Sequence, residues 1–416
     1  MTALAADSPG MADAADYGDR VRSAFAPFHD QVAGWENAGH LPRELFASLG
    51  AANVFRDRWR DGPAAGLPLA QAMVTELSPL NGGTALAVSI HSEVFIHALA
   101  RYGGAPLANV LDRAIAGDVI GCAAFTEPTG GSDLLGIQTM ATRTADGWRL
   151  TGVKRYTTNA GSATHMLTLA RTGKGEHELT LFLVPLDCAG VQVTRFFQTL
   201  GMRSADTCAV EFDLELPHGH ALGRPGGGFM YGLKLLDYER VAAATGLISA
   251  ARMALRLAIA YMRERQQFGK RLLDHQALAH RLADRWAETE AAAALLDGAC
   301  RAARGDELPH HLVAAAKLIA ARAGTAAIDE AIQFLGARGY TEEYPLARMH
   351  RDARLTRIGG GTDEMLRQII VSCLDVPDPA AVSILNDARA RAGDGVATTP
   401  LSPTATGSHI RKAIHD

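Results

Sequence analysis

Residues 333–370, QFLGARGYTEEYPLARMHRDARLTRIGGGTDEMLRQII, carry the densest signal in the chain. Ala331, Phe334 and Leu335 make a helix-like apolar face that runs into a compact run of Gly, Arg and Asp. Part of it needs only local structure. Gly336 and Gly339 can take the left-handed conformation that closes a helix, and Gly359-Gly360-Gly361 can form an ordinary turn. The concentration of glycine, arginine and acid in one stretch points beyond a turn to a binding site.

Working outward, the 416 residues are 48% hydrophobic and 21% charged, ordinary for a globular enzyme. At roughly 150 residues per domain, two or three domains are expected. A net charge of −4 gives no general attraction for nucleic acid or anionic lipid, so neither is expected as a partner. Cys122, Cys188, Cys208, Cys300 and Cys373 are scattered with no Cys-x-x-Cys pair, which fits reduced thiols and no zinc site. The N-terminus has no basic segment followed by an apolar one, and no run of about 18 uncharged apolar residues occurs. The expectation is a cytoplasmic protein with no membrane span.

Three patterns follow in order. Residues 1–118 are Ala-rich helical segments broken at glycines, with His91 and His97 among apolar neighbours, where core histidines are expected. From 119 to 228 the period becomes two: TRTADGWRLTGVKRYTTNA turns at Asp146-Gly147, and MLTLAR, ELTLFLVPL, VQVTRF and CAVEFDLEL follow without intervening helices, which predicts a small barrel or sandwich. From 229 to 376 the period is helical, with Ala244, Leu247, Ile248, Ala251, Leu255 and Ala258 on one face, a second run over 274–304 and a third from Pro309. With the segment after Thr362 these predict a four-helix bundle. Residues 377–416, rich in Pro, Gly, Thr and Ser, predict a mobile tail. His218, His220, His310 and His311 fall in expected loops without acidic or thiol partners at ligand spacing, and no metal site is predicted.

The stretch 333–370 resembles the C-terminal signature of the acyl-CoA dehydrogenases, in which Gln-x-x-Gly-x-x-Gly-Tyr, Arg-Asp-Ala and Gly-Thr follow at these intervals. Three more motifs are similar to the same family: GCAAFTEPTGGSDLLGIQT, GVKRYTTNA and RERQQFGKRLLDHQ. The resemblance implies an α+β architecture of N-terminal helical domain, middle β-barrel domain and C-terminal four-helix bundle, with FAD as cofactor. It places Phe125, Thr126 and Ser132 at the flavin edge, where fixed donors favour hydride acceptance. Tyr156 stands where many relatives stack a tryptophan, and Thr158 matches the residue near flavin N5. Arg265, Phe268 and Gln276 match a segment that reaches the pyrophosphate from a neighbouring subunit, which implies a homodimer or homotetramer. Gln333, Gly336, Thr362 and Glu364 match contacts to the adenosine and pyrophosphate side, although Ala337 replaces a common glycine.

One departure matters for chemistry. Many relatives carry the catalytic glutamate directly before the Gly-Thr, and here Gly360 precedes Gly361-Thr362. Gly360 keeps the backbone amide that the family uses toward the thioester oxygen but offers no base. LLDYERVAAATG resembles the isovaleryl-CoA dehydrogenase-like variant, whose base lies on the first long helix of the last domain, so Glu239 becomes the candidate base, with Arg240 and His91 as candidates at the substrate pocket. The implied activity is α,β-dehydrogenation of an acyl thioester carried by CoA or a carrier protein, with an electron-transfer flavoprotein or oxygen as acceptor. A flavin oxidase or monooxygenase on the same fold, and a non-catalytic flavoprotein, are the alternatives. The absence of a Gly-x-Gly-x-x-Gly unit and of a Walker lysine disfavours nicotinamide and P-loop enzymes.

Overall fold

The computed structural model describes residues 11–175, 177–374 and 378–392. Helices occupy the chain before residue 115 and again after 228, with a sheet between them, which is the α+β order expected. The strands are β1 (Gly121–Ala124), β2 (Met140–Arg143), β3 (Gly147–Thr157), β4 (His165–Arg171), β5 (Leu179–Pro185), β6 (Val191–Phe196), β7 (Cys208–Pro217) and β8 (Ala221–Leu222). They bond in the order β6-β7-β3-β2-β4-β5-β8, with β1 parallel to β4. The Asp146-Gly147 turn joins β2 to β3 with Ala141 opposite Leu150. In β7, Val210, Phe212, Leu214 and Leu216 are buried while Glu211, Asp213 and Glu215 face out, the period of two that made this region legible.

Between Lys154 and Thr157 the register of β3 against β7 shifts, and Tyr156 sits there at φ +55°. A bulge of this kind re-aims side chains, and a non-glycine residue in the left-handed region is held against its own preference. Just before the bulge, buried Lys154 donates to Glu127 Oε1 at 2.7 Å, and Glu127 also accepts from the amides of Gln138 and Thr139 at 2.5 and 3.0 Å. This buried ion pair fastens the loop after β1 to the sheet.

The C-terminal helices are Gly228–Glu264, Gln276–Arg301, His310–Leu335 and Asp363–Leu374. The first, of 37 residues, is about 55 Å long at 1.5 Å per residue. Ala244, Leu247, Ile248, Ala251, Leu255 and Ala258 are all buried, as their spacing predicts. Gly324 lets the His310–Leu335 helix come close, since a Cβ there would lie 2.6 Å from Leu247 Cγ. By length and hydropathy alone, Gly82–Gly103, Gly228–Glu264 and His310–Arg338 could each cross a membrane; the apolar windows that qualify them are 89%, 61% and 61% buried within the protein. Their apolar character is used in packing here.

The tail differs from expectation in part. Pro379–Ala392 is a helix, started by the Asp378 carboxylate accepting from the amides of Ala380 and Ala381 at 2.8 and 3.3 Å, with Pro379 at the first position. Asp-Pro is a helix start that composition alone conceals. The expected tail beyond residue 392 lies outside the described residues.

Candidate active site

The N-terminal helices Leu67–Leu80 and Gly82–Ser89 face the long helix Gly228–Glu264 and the segment 349–359 across a cavity that is partly open to solvent. Val74, Leu86, Leu247, Met349 and Leu355 make its wall largely apolar, and two carboxyl groups, Glu239 and Asp352, face into it. Burial raises the Glu239 carboxyl above its ordinary range, while the cations Arg240 and Lys317 pull it back. No hydrogen bond to the Glu239 carboxylate is present among the described residues, so a substrate proton would meet a free acceptor. Asp352 has a partner: it accepts from the Met202 amide at 2.6 Å, and burial still pushes its carboxyl up to about 6.

Opposite Glu239 lies the glycine loop. Gly360 and Gly361 have φ of +65° and +102°, conformations that side chains resist. Two buried cations clamp their carbonyls: Arg240 Nε donates to Gly360 O at 2.8 Å and Lys317 Nζ to Gly361 O at 2.7 Å. The Gly360 amide has no partner among the described residues. A Cβ at Gly360 would fall 3.6 Å from Glu239 Oε1 and 3.7 Å from Glu239 Cδ. The two positions therefore converge on one point in space, although 121 residues separate them in the sequence.

Three sequence expectations change here. Arg240 does not line the cavity; its guanidinium is spent on Gly360 O and on Asp237 Oδ1, 2.7 Å away, so it positions the loop. His310 is not a surface loop residue without an acidic partner, because Nδ1 pairs with Asp237 Oδ2 and ties the third helix to the Arg240 clamp. His91 is not at the pocket either. It is fully buried against Phe46, Phe55 and Phe95, with Nε2 at 3.1 Å from Ala114 O and Nδ1 accepting from the Gly121 amide at 3.1 Å. Burial lowers its pKa to about 4, so it is a neutral strut; Leu86 and Ser89, earlier on the same helical stretch, take the lining positions. Lys317 was not anticipated. A lysine amid the Ala-rich face of 313–321 was its only sequence signal.

The expected flavin-edge residues come together. Arg155 N donates to Thr126 O at 2.9 Å, which sets the Phe125-Thr126 loop beside the bulge carrying Tyr156, and Ser132 lies on the exposed turn beyond. Tyr156 is 59% exposed and its ring lies 4.7 Å from that of Phe197, at the start of the loop that brings Met202 into the cavity wall. The Thr157 hydroxyl is buried without a partner, and those of Thr126 and Thr158 have none among the described residues. A bare aromatic face with unused hydroxyls around it fits a flat, hydrogen-bonding ring system, so these residues suit the flavin of FAD.

The remaining expected contacts divide. Thr362 and Glu364 start the helix beside Lys317. Gln333 and Gly336 end the His310–Leu335 helix sixteen residues past Lys317, about 24 Å away along its axis. Beside that far end lie Arg265, Phe268 and Gln276, joined to it through Tyr261, whose ring lies 5.7 Å from the Arg338 guanidinium. Phe268, at the tip of the Gln266–Arg271 hairpin, is 94% exposed.

An unpartnered, half-buried carboxylate on an apolar cavity, next to a cradle that suits a flavin, defines a flavoprotein oxidoreductase acting on carbon–hydrogen bonds. Family models described as acyl-CoA dehydrogenase middle domain and acyl-CoA dehydrogenase C-terminal domain match residues 122–214 and 226–374. The chain belongs to the acyl-CoA dehydrogenase family and, with it, takes FAD and acts on the CH–CH bond of acyl thioesters. It is 32% identical to an acyl-[acyl-carrier-protein] dehydrogenase from Mycobacterium sp. (strain MCS), over 83% of this chain and 91% of that one. Among solved structures it is similar to a glutaryl-CoA dehydrogenase from Mycobacterium smegmatis in complex with FADH2, with a TM-score of 0.80, 28% identity and coverage of 87% and 94%. It is also similar to a structure titled as an electron transferring flavoprotein of Acidaminococcus fermentans, with a TM-score of 0.82, 26% identity and coverage of 89% and 100%.

Proposed function

We propose that the protein dehydrogenates an acyl thioester with Glu239 as the base, and the observation that carries this is the convergence of the Glu239 carboxylate on the Cβ position of Gly360. The α C–H bond breaks with its proton passing to Glu239, the β hydrogen leaves with its electron pair, and a double bond forms between the two carbons. FAD, when bound, supplies the acceptor for that hydride. The Gly360 amide, unpaired among the described residues, donates to the thioester oxygen as enolate-like charge develops. Arg240 and Lys317 hold the loop by its carbonyls and keep Glu239 more acidic than burial alone would leave it. The apolar wall excludes water that would compete for the proton.

Two further assignments belong to the same proposal. Electrons pass on to an electron-transfer flavoprotein, supported by the likeness to the Acidaminococcus structure. The active form is a homo-oligomer in which Arg265, Phe268, Gln276, Gln333 and Gly336 of one copy serve the cofactor of another. The spread of about 24 Å along one helix between the Thr362 group and the Gln333 group supports this, as does the bare Phe268.

The test is anaerobic mixing of FAD-loaded protein with acyl thioesters. Glu239→Gln should keep FAD and ligand binding while flavin bleaching slows by about 10²-fold or more, the scale of a positioned base. Bleaching at wild-type rate in that variant would remove Glu239 from the reaction.

A further inference from the structure

We propose that this site is built for an unbranched, uncharged alkanoyl chain of roughly twelve to sixteen carbons, the estimate coming from the rise of a helix and the length of an extended chain. The inference deepens the dehydrogenation reading and rests on it. On the long helix the cavity is lined by Glu239, Ala242, Ala243, Gly246, Leu247 and Ala250, steps of three and four that keep to one face. Of these, Glu239, Ala243 and Ala250 retain exposure, while Ala242, Gly246 and Leu247 are buried, so the open space follows the line from Glu239 to Ala250. Eleven residues of helix advance about 16 Å. An extended chain of single bonds advances about 1.2 Å per bond. About thirteen bonds therefore fit between the carbon facing Glu239 and the level of Ala250.

Shape and chemistry narrow the occupant. Ala243 and Ala250 offer only a methyl group toward the channel. At Gly246 the long helix touches the Leu67–Leu80 helix so closely that a Cβ would lie 2.6 Å from Ser78 Oγ and 3.2 Å from Val74 Cγ1. A chain one carbon wide can pass beside this pinch, and a branched one meets it. The wall holds no cation but two carboxyl groups, Glu239 and Asp352, so a second carboxylate on the substrate would have nothing to pair with. Two wall hydroxyls are turned away into their own backbone: Ser89 Oγ donates to Ala85 O at 2.6 Å and Thr356 Oγ1 to Ala353 O at 2.7 Å. Each methylene buried along such a wall should strengthen binding roughly fourfold until the channel ends.

The experiment measures anaerobic flavin bleaching of the FAD-loaded protein by butanoyl-, octanoyl-, dodecanoyl-, hexadecanoyl-, isovaleryl- and glutaryl-CoA. The specificity constant should climb steeply from butanoyl to dodecanoyl and level off by hexadecanoyl, with isovaleryl- and glutaryl-CoA far below. Faster bleaching by butanoyl-, isovaleryl- or glutaryl-CoA than by dodecanoyl-CoA would overturn the inference and leave dehydrogenation standing. No bleaching by any of these acyl chains, whether on CoA or on a carrier protein, would remove both. Ala250→Phe should cut the dodecanoyl-to-octanoyl ratio at least tenfold, and Ala250→Leu should do the same more weakly should the larger ring disturb folding. Ala243→Leu, closer to the base, should cut the octanoyl-to-butanoyl ratio. An equal loss at every chain length in these variants would show that the channel does not run along this face.

Discussion

Moving the base back to the glycine loop is the sharpest perturbation this site allows. Glu239→Gln alone should slow flavin reduction by about 10²-fold to 10⁴-fold. Adding Gly360→Glu places a Cβ 3.6 Å from Arg240 Cγ and from the former Glu239 Oε1, ordinary van der Waals contacts, so the Cβ fits without a clash. Its cost is the left-handed backbone at φ +65°, about 1–2 kcal/mol for a side chain with a Cβ. A domain with 5–15 kcal/mol of stability can absorb that. The clamps from Arg240 and Lys317 act on carbonyl oxygens, which the substitution leaves in place. The double variant should therefore recover at least tenfold of the lost rate. Gly360→Glu alone should instead hold two carboxyl groups a few ångströms apart, raising one of their pKa values and moving the pH inflection of flavin reduction upward. Stopped-flow absorbance under anaerobic conditions reads all three variants. If the double variant binds FAD and ligand as well as Glu239→Gln does and yet gains nothing, the two positions do not share one reacting atom, and the mechanism is wrong.

Other tests bear on the surroundings of that atom. Because burial raises the Glu239 carboxyl, the base is protonated at low pH and flavin reduction should rise with pH through its elevated pKa. Lys317→Met removes one of the two cations that oppose this shift. The inflection should then move further up, with a slower rate below it; an unmoved pH profile would show that Lys317 has no electrostatic role. Lys154→Met strands the Glu127 carboxylate in the sheet, a loss of roughly 3–5 kcal/mol; chemical denaturation checks it, and a loss under 1 kcal/mol would contradict the buried pair. Phe268→Asp should yield monomers that release FAD, measured by sedimentation and by flavin absorbance, and a variant that stays oligomeric and yellow would refute the shared site.

Local order was legible because it is written locally. The alternation of Val210, Phe212, Leu214 and Leu216 with acids states a strand, and the three- and four-residue steps from Ala244 to Ala258 state a helix, whatever else the chain does. The resemblance of four motifs to the acyl-CoA dehydrogenases likewise implied FAD, and offered Glu239 as a candidate base, without coordinates. Side-chain direction was another matter. His91 and Ser89 lie on one helical stretch, and only packing against Phe46, Phe55 and the Gly121 amide turns the histidine inward and leaves Ser89 at the cavity. Arg240, beside the base in sequence, is drawn to Gly360 O, and Lys317, a lone charge in an apolar helix, finds its role at Gly361 O 44 residues away. Periodicity fixes which face of an element is apolar, since that depends on neighbours three or four residues away. Which charged groups meet, and at which carbonyl, depends on elements brought together by the fold, and only the tertiary structure decided it.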